Sequence, residues 1–137
     1  MVEYLKTDKE VPVIHQEVQF QASPAQLYRA FMDAEEHAAF TGGKAEISSD
    51  EGGSFSCHDG QIEGRNIELV PGSRIVQAWR VAAWPEGLFT IVRIQLEGDA
   101  SQTTLTLDHS GVPDDFQEHI AQGWEARYWS ALKKHFA

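Results

Sequence analysis

The chain has 137 residues, 42% of them hydrophobic, which is enough for one domain with a continuous core and too few for two. Its 21 acidic residues against 11 basic ones leave a formal charge of −10, so nucleic-acid backbones and anionic membrane surfaces repel it and neither is an expected partner. A lone cysteine, Cys57, has no internal disulfide partner, and no charged-then-apolar leader or long apolar run opens the chain, so a reducing cytoplasm without membrane insertion is expected.

Residues 1–12 mix charge with little periodicity and are expected to be a flexible lead to one domain over residues 13–137. From Ile14 to Phe20 the side chains alternate, with Ile14, Val18 and Phe20 on one face, which predicts a half-buried strand. Ser23-Pro24-Ala25-Gln26 then predicts a helix start, with Ser23 as N-cap, Pro24 at the first helical position and Gln26 closing a capping box. Leu27, Ala30 and Phe31 supply that helix with an apolar face. Asp33 with Glu36 repeats the signal, predicting a second short helix from Ala34 to Phe40 that stops at Gly42-Gly43.

Between Lys44 and His109, clusters such as Glu51-Gly52-Gly53, Asp59-Gly60, Pro71-Gly72, Pro85-Glu86-Gly87 and Gly98-Asp99 separate short apolar-rich runs, the pattern of an antiparallel meander. The runs are Ala45–Ser48, Ser54–Cys57, Ile62–Val70, Arg74–Val81, Phe89–Glu97 and Thr103–His109, six further strands, and Asp59-Gly60 is the best two-residue hairpin signal. Pro113, Asp114 and Gln117 carry another capping-box spacing and predict a last helix over Asp115–Phe136. On it Phe116, Ile120, Trp124, Tyr128, Leu132 and Phe136 recur every fourth residue, a broad aromatic side that needs a wide partner surface. A curved seven-stranded sheet supplies one.

The series Ala22-Ser23-Pro24, Leu27-Tyr28-Arg29-Ala30-Phe31, Gly52-Gly53-Ser54-Phe55, Leu69-Val70-Pro71-Gly72, Trp79-Arg80, Trp84-Pro85-Glu86-Gly87 and Gln122-Gly123-Trp124 with Tyr128 resembles, in this order, the C-terminal domain of activators of the heat-shock-protein-90 ATPase. That resemblance implies an α+β helix-grip fold of the START-like superfamily: a seven-stranded antiparallel sheet wrapping a long C-terminal helix, with two short helices after the first strand. It also implies a heat-shock-protein-90 chaperone as a partner. Lipid carriers and cyclases share the superfamily, so fold alone leaves the activity open.

For a cavity between sheet and helix, the expected lining is Phe31, Phe55, Trp79, Phe89, His109, Trp124 and Tyr128, because aromatic walls bury large apolar areas. Each is equally explained as core. Leu105, Leu107 and His109 share a strand face that should grip the helix, which makes His109 either a polar group inside the cavity or a satisfied core histidine. Trp84, Glu86 and Leu88 form a candidate partner surface if the turn is exposed, and a lid if Trp84 folds over the cavity mouth.

Parity with Ile67 and Leu69 points Arg65 inward and parity with Ile91 points Arg93 inward, although bulges near Gly64 can reverse such a phase. Cys57 and His58, adjacent on a strand, should face opposite ways, with Cys57 a small buried hydrophobe. Gly123, inside the last helix, is expected to mark close packing, a kink or ligand approach. Six histidines show no metal-ligand spacing, so neither metal nor cofactor is expected.

Three functions compete: a non-catalytic co-chaperone-like interaction domain, a carrier of a small hydrophobic molecule, and a cyclase-type enzyme requiring His109 to converge with an inward arginine or carboxylate. A monomer and a homodimer fit equally.

Overall fold

The computed structural model describes residues 13–137. The expected lead over residues 1–12 lies outside the described residues. Element order is β1 (Val13–Phe20), α1 (Pro24–Met32), α2 (Ala34–Thr41), β2 (Glu46–Ile47), β3 (Ser54–Cys57), β4 (Ile62–Val70), β5 (Arg74–Val81), β6 (Thr90–Gly98) and β7 (Thr103–Ser110). A C-terminal helix follows in three parts: α3 (Asp114–Gly123), a π-helical segment (Trp124–Trp129) and α4 (Ser130–His135).

One seven-stranded antiparallel sheet, in the order β1-β7-β6-β5-β4-β3-β2, wraps this helix. Strands β2 to β7 form the meander, and β1 closes on β7 with Val13 opposite Ser110 and Phe20 opposite Thr103. The fold is the α+β helix-grip arrangement expected from the sequence.

Local chemistry sets the first two helices. The Ser23 hydroxyl accepts from the Gln26 amide while the Gln26 side chain accepts from the Ser23 amide, a complete capping box. At α2 the Asp33 carboxylate accepts from the Glu36 amide, and Gly42, at φ 81°, ends the helix in the left-handed conformation that glycine tolerates best.

The last helix starts differently from expectation. Pro113 occupies the N-cap, so Asp114 already lies inside the helix and no side chain caps it. Gln117 instead turns back and donates to the Val112 carbonyl. Asp114 and Asp115 still sit in the first turn, where the helix dipole favours negative charge.

The core lies between the inner sheet face and the helix. Val92, Ile94 and Leu96 of β6 and Leu105 and Leu107 of β7 are buried against Ile120, Trp124, Trp129 and Leu132, each such aliphatic contributing about 2 kcal/mol through burial. With Val92 and Ile94 inward, Ile91 and Arg93 must face out. Arg65 likewise shares the outer face with the exposed Ile67, and its guanidinium donates to the Gly52 carbonyl. Both arginines expected inward therefore lie outside. Ile67 and Ile91, used as reference, are themselves exposed, and the register shift between Asn66 and Glu68 breaks the phase between Arg65 and Leu69, which packs against the core. Among the described residues, no helix is long and apolar enough to cross a membrane.

Candidate functional site: an aromatic cavity under the last helix

An open cavity of about 350 Å³ lies between the last helix and the ends of β4 and β5. Its apolar walls come from Ile62, Trp79, Trp84, Phe116, Ile120 and Trp124. The rings support one another: Trp79 stacks on Trp124 at 6.0 Å between centroids, and Trp84 stacks on Phe116 at 5.7 Å. Trp84 also meets Trp79 edge-on at 5.9 Å. Such pairs fix ring orientation beyond simple burial.

Gly123 forms part of the cavity wall, and a Cβ placed there would meet nothing within 4 Å among the described residues. Close packing is therefore not the reason for this glycine. Its φ of −63° is ordinarily helical, so conformation does not demand it either. The absent side chain leaves the cavity open.

Directly after Gly123 the helix changes register. Each four-residue step advances about 40° round a 3.6-residue turn, which would carry Trp124, Tyr128 and Leu132 progressively off one line. The π segment Trp124–Trp129 adds a residue to the turn and keeps Trp124, Tyr128, Trp129 and Leu132 all buried. Gln16 on β1 secures the junction, accepting from the Trp129 indole N–H at 2.6 Å and donating to the Ala121 carbonyl at 3.1 Å. Phe116 and Phe136, at the stripe's two ends, are the members left partly exposed.

His109 is fully buried, and both its nitrogens are engaged. Trp124 Nε1 donates to His109 Nδ1 at 3.0 Å, which leaves the proton on Nε2, hydrogen-bonded to Thr90 Oγ1 at 2.8 Å. Thr90 in turn donates to the Trp79 carbonyl at 2.7 Å. Burial pulls the His109 pKa down to about 3, so the ring stays neutral. It braces two cavity tryptophans from behind and offers no free nitrogen to a substrate.

A second polar group sits at the inner end of the cavity. The Tyr128 hydroxyl lies 2.9 Å from His37 Nε2 and 3.1 Å from His58 Nε2. One hydroxyl proton serves two ring nitrogens, so one histidine donates to the oxygen and the other accepts. Among the described residues His37 Nδ1 is buried without a partner, and an orphan acceptor is the cheaper state, so His37 is the donor and His58 the acceptor. Burial, with a smaller effect from the His58 charge on His37 and from the Arg127 charge on His58, lowers both histidines to about 4. Burial also holds the Tyr128 phenol well above its ordinary range.

The adjacent turn explains how His58 gets there. Cys57 pairs with Ile62, so the connection is the four residues His58-Asp59-Gly60-Gln61 and not the expected two-residue hairpin. His58 and Asp59 take φ values of 53° and 59°, a left-handed conformation uncommon for side-chain-bearing residues. The strand ends at Cys57, and this turn swings His58 inward. Cys57 and His58 are consequently both buried, contrary to the alternation expected of a continuing strand. Burial pushes the Cys57 thiol up to about 12, so it behaves as a small hydrophobe.

Sequence reasoning picked out Trp79, Trp124 and Tyr128, which the cavity brings together, and missed His37, His58 and Gln16. Phe31 and Phe55 are buried and face a separate inner void of about 20 Å³. Phe89, expected inside, is half exposed on the outer face. There its ring covers the Arg80 guanidinium at 5.7 Å.

Arg80 is the staple of the Trp84–Leu88 turn. Its guanidinium donates to the carbonyls of Trp84, Pro85 and Leu88 and pairs with Glu63 at 2.6 Å. The turn is thereby held over the cavity mouth and Trp84 is buried, so it is a cavity wall and not an exposed contact point. Of the expected partner surface, Glu86 remains exposed and Leu88 half-buried. Among the described residues no cluster of metal-ligating side chains occurs.

A seven-stranded sheet gripping a terminal helix over an aromatic cavity defines a helix-grip domain. The family model described as "Activator of Hsp90 ATPase homolog 1-like protein" matches residues 21–137. The chain belongs to that family. It is 36% identical over 117 residues to the human "Activator of 90 kDa heat shock protein ATPase homolog 1", covering 85% of this chain and 35% of that protein. A Dictyostelium discoideum activator homologue is 34% identical over 120 residues, covering 87% of this chain and 31% of the relative. The chain thus spans about a third of the length of these curated relatives. The crystal structure of an HSP90 activator from Plasmodium falciparum superposes with a TM-score of 0.83 at 24% identity, over 89% of this chain and 94% of the other.

Proposed function

We propose that this domain is a non-catalytic interaction module that binds a heat-shock-protein-90 chaperone. The observation that carries it is the 36% identity to the human activator across 85% of the chain. Its exposed Glu86 and its charge of −10 fit a basic or mixed-charge protein face. His109, the group an enzymatic reading most needed, has both nitrogens committed to internal hydrogen bonds.

The test is an amide-shift titration of the isotope-labelled chain with the heat-shock-protein-90 chaperone of its own source at low salt. Localised shifts are the expected result. A chaperone that moves no resonance at equimolar, low-salt conditions removes the proposal.

A second function is favoured by the cavity itself: uptake of a small apolar molecule. Its 350 Å³ volume and tryptophan walls match the size and lining of small-molecule sites. Fluorescence enhancement of N-phenyl-1-naphthylamine, abolished by Gly123→Leu, is the expected signature, since leucine would grow into the open space.

A further inference from the structure

The cavity is chemically asymmetric in a way that specifies its occupant. The whole chain carries 21 acidic residues against 11 basic ones, yet among the described residues no carboxylate lines the cavity. The ionisable or cationic groups that do line it are Arg127, His119, His58 and Tyr128.

Arg127 stands at the mouth on the π segment, where its side chain makes no ion pair among the described residues and reaches only Gln61 Oε1, at a long 3.4 Å. Its charge is felt at His58, whose protonation it disfavours. The guanidinium therefore lines the cavity within electrostatic reach of His58, with unused donors. Arginine presents five N–H groups in a planar fork suited to carboxylates and sulfonates.

Elsewhere the walls are indole and phenyl faces, from Trp79, Trp84 and Phe116, which offer no acceptor for a second polar group. A cation in this site would meet Arg127 with no balancing carboxylate. A neutral hydrocarbon would leave the exposed guanidinium to water and make no use of its donors.

We infer that the cavity takes an apolar, ring-bearing monoanion, its rings between the tryptophans and its acidic group on the Arg127 guanidinium. This rests on the cavity being a ligand site, the second function above. His58, held inward by its left-handed backbone, presents its ring beside the same acidic group. Gly123, with no side chain, leaves room for the body of the ligand.

Two fluorescent probes that differ by one sulfonate separate the possibilities: 1-anilinonaphthalene-8-sulfonate and its neutral parent N-phenyl-1-naphthylamine. Affinities are measured for the full chain, Arg127→Gln and Gly123→Leu. Arg127 is exposed, so its replacement leaves the fold intact. In Arg127→Gln the sulfonate should bind about tenfold more weakly, the loss of one charge-assisted contact, with the neutral probe changing less than about twofold. In Gly123→Leu both probes should be lost. Equal weakening of both probes by Arg127→Gln, or of neither, overturns the anion assignment while the cavity survives as an apolar site. Binding of both probes that persists in Gly123→Leu overturns the cavity reading itself.

Discussion

At the scale of single residues, the interior depends on three histidines that must stay neutral. His37 and His58 are lowered to about 4 and His109 to about 3, against an unfolded value near 6.5. Folded-state values below the unfolded one mean that the unfolded chain takes up protons first as pH falls. Stability from these groups is complete above about pH 6.5 and declines from there toward pH 4, with His109 alone contributing about 1.4 kcal/mol per pH unit in that window. His15, raised by its hydrogen bond to exposed Asp108, acts in the opposite sense and weakly, because solvent screens it. Urea midpoints at pH 7, 6 and 5 should fall steadily, and His109→Gln should flatten the slope while lowering stability at pH 7. A midpoint independent of pH over this range contradicts the assignment. Tyr128→Phe should cost about 2–3 kcal/mol, because both His37 and His58 lose their shared partner inside the protein. A phenylalanine variant as stable as the parent would show that water replaces the hydroxyl.

At the scale of elements, two pieces set the cavity: the helix with its π segment and the turn pinned by Arg80. Gly123→Ala should stabilise the helix by up to about 1 kcal/mol, since the new methyl meets no neighbour and alanine is the better helix former. A destabilised alanine variant would restore close packing as the reason for the glycine. Arg80→Met should destabilise by about 2–4 kcal/mol and release Trp84, because three carbonyls and the Glu63 carboxylate lose one buried donor group. A red-shifted tryptophan emission would report that release. The elements themselves were legible: the Ser23 box, the Asp33 start, the Gly42 stop and the six meander strands follow from punctuation and alternation. The site was legible only in part. Trp79, Trp124 and Tyr128 stand in regular strand or helix phase, where periodicity assigns a face. His58 owes its direction to a run of positive φ, and Trp84 and Phe89 to Arg80, a contact between strand and turn that no local pattern encodes. The π segment was not read from the sequence, because the four-residue spacing of the aromatic stripe drifts only about 40° per step and fits the broad side of an ordinary helix.

At the scale of the whole molecule, the two proposed activities occupy different places, and that separation is itself testable. The cavity is open, and Phe116, Arg127 and the Trp84–Pro85 corner line it together with the sheet and the rest of the helix. A chaperone can touch only the outside, where Glu86 and the acidic surface are presented. The turn over the mouth belongs to both, with Trp84 facing in and Glu86 facing out, yet Arg80 anchors its carbonyls rigidly. A rigid turn transmits little, since coupling needs an element with two arrangements. Glu86→Lys should therefore weaken chaperone binding at low salt and leave both naphthyl probes within about twofold, while Gly123→Leu should do the reverse. If filling the cavity instead shifts chaperone affinity by tenfold or more, the turn has a second conformation, and ligand and chaperone binding are linked by the same factor in both directions.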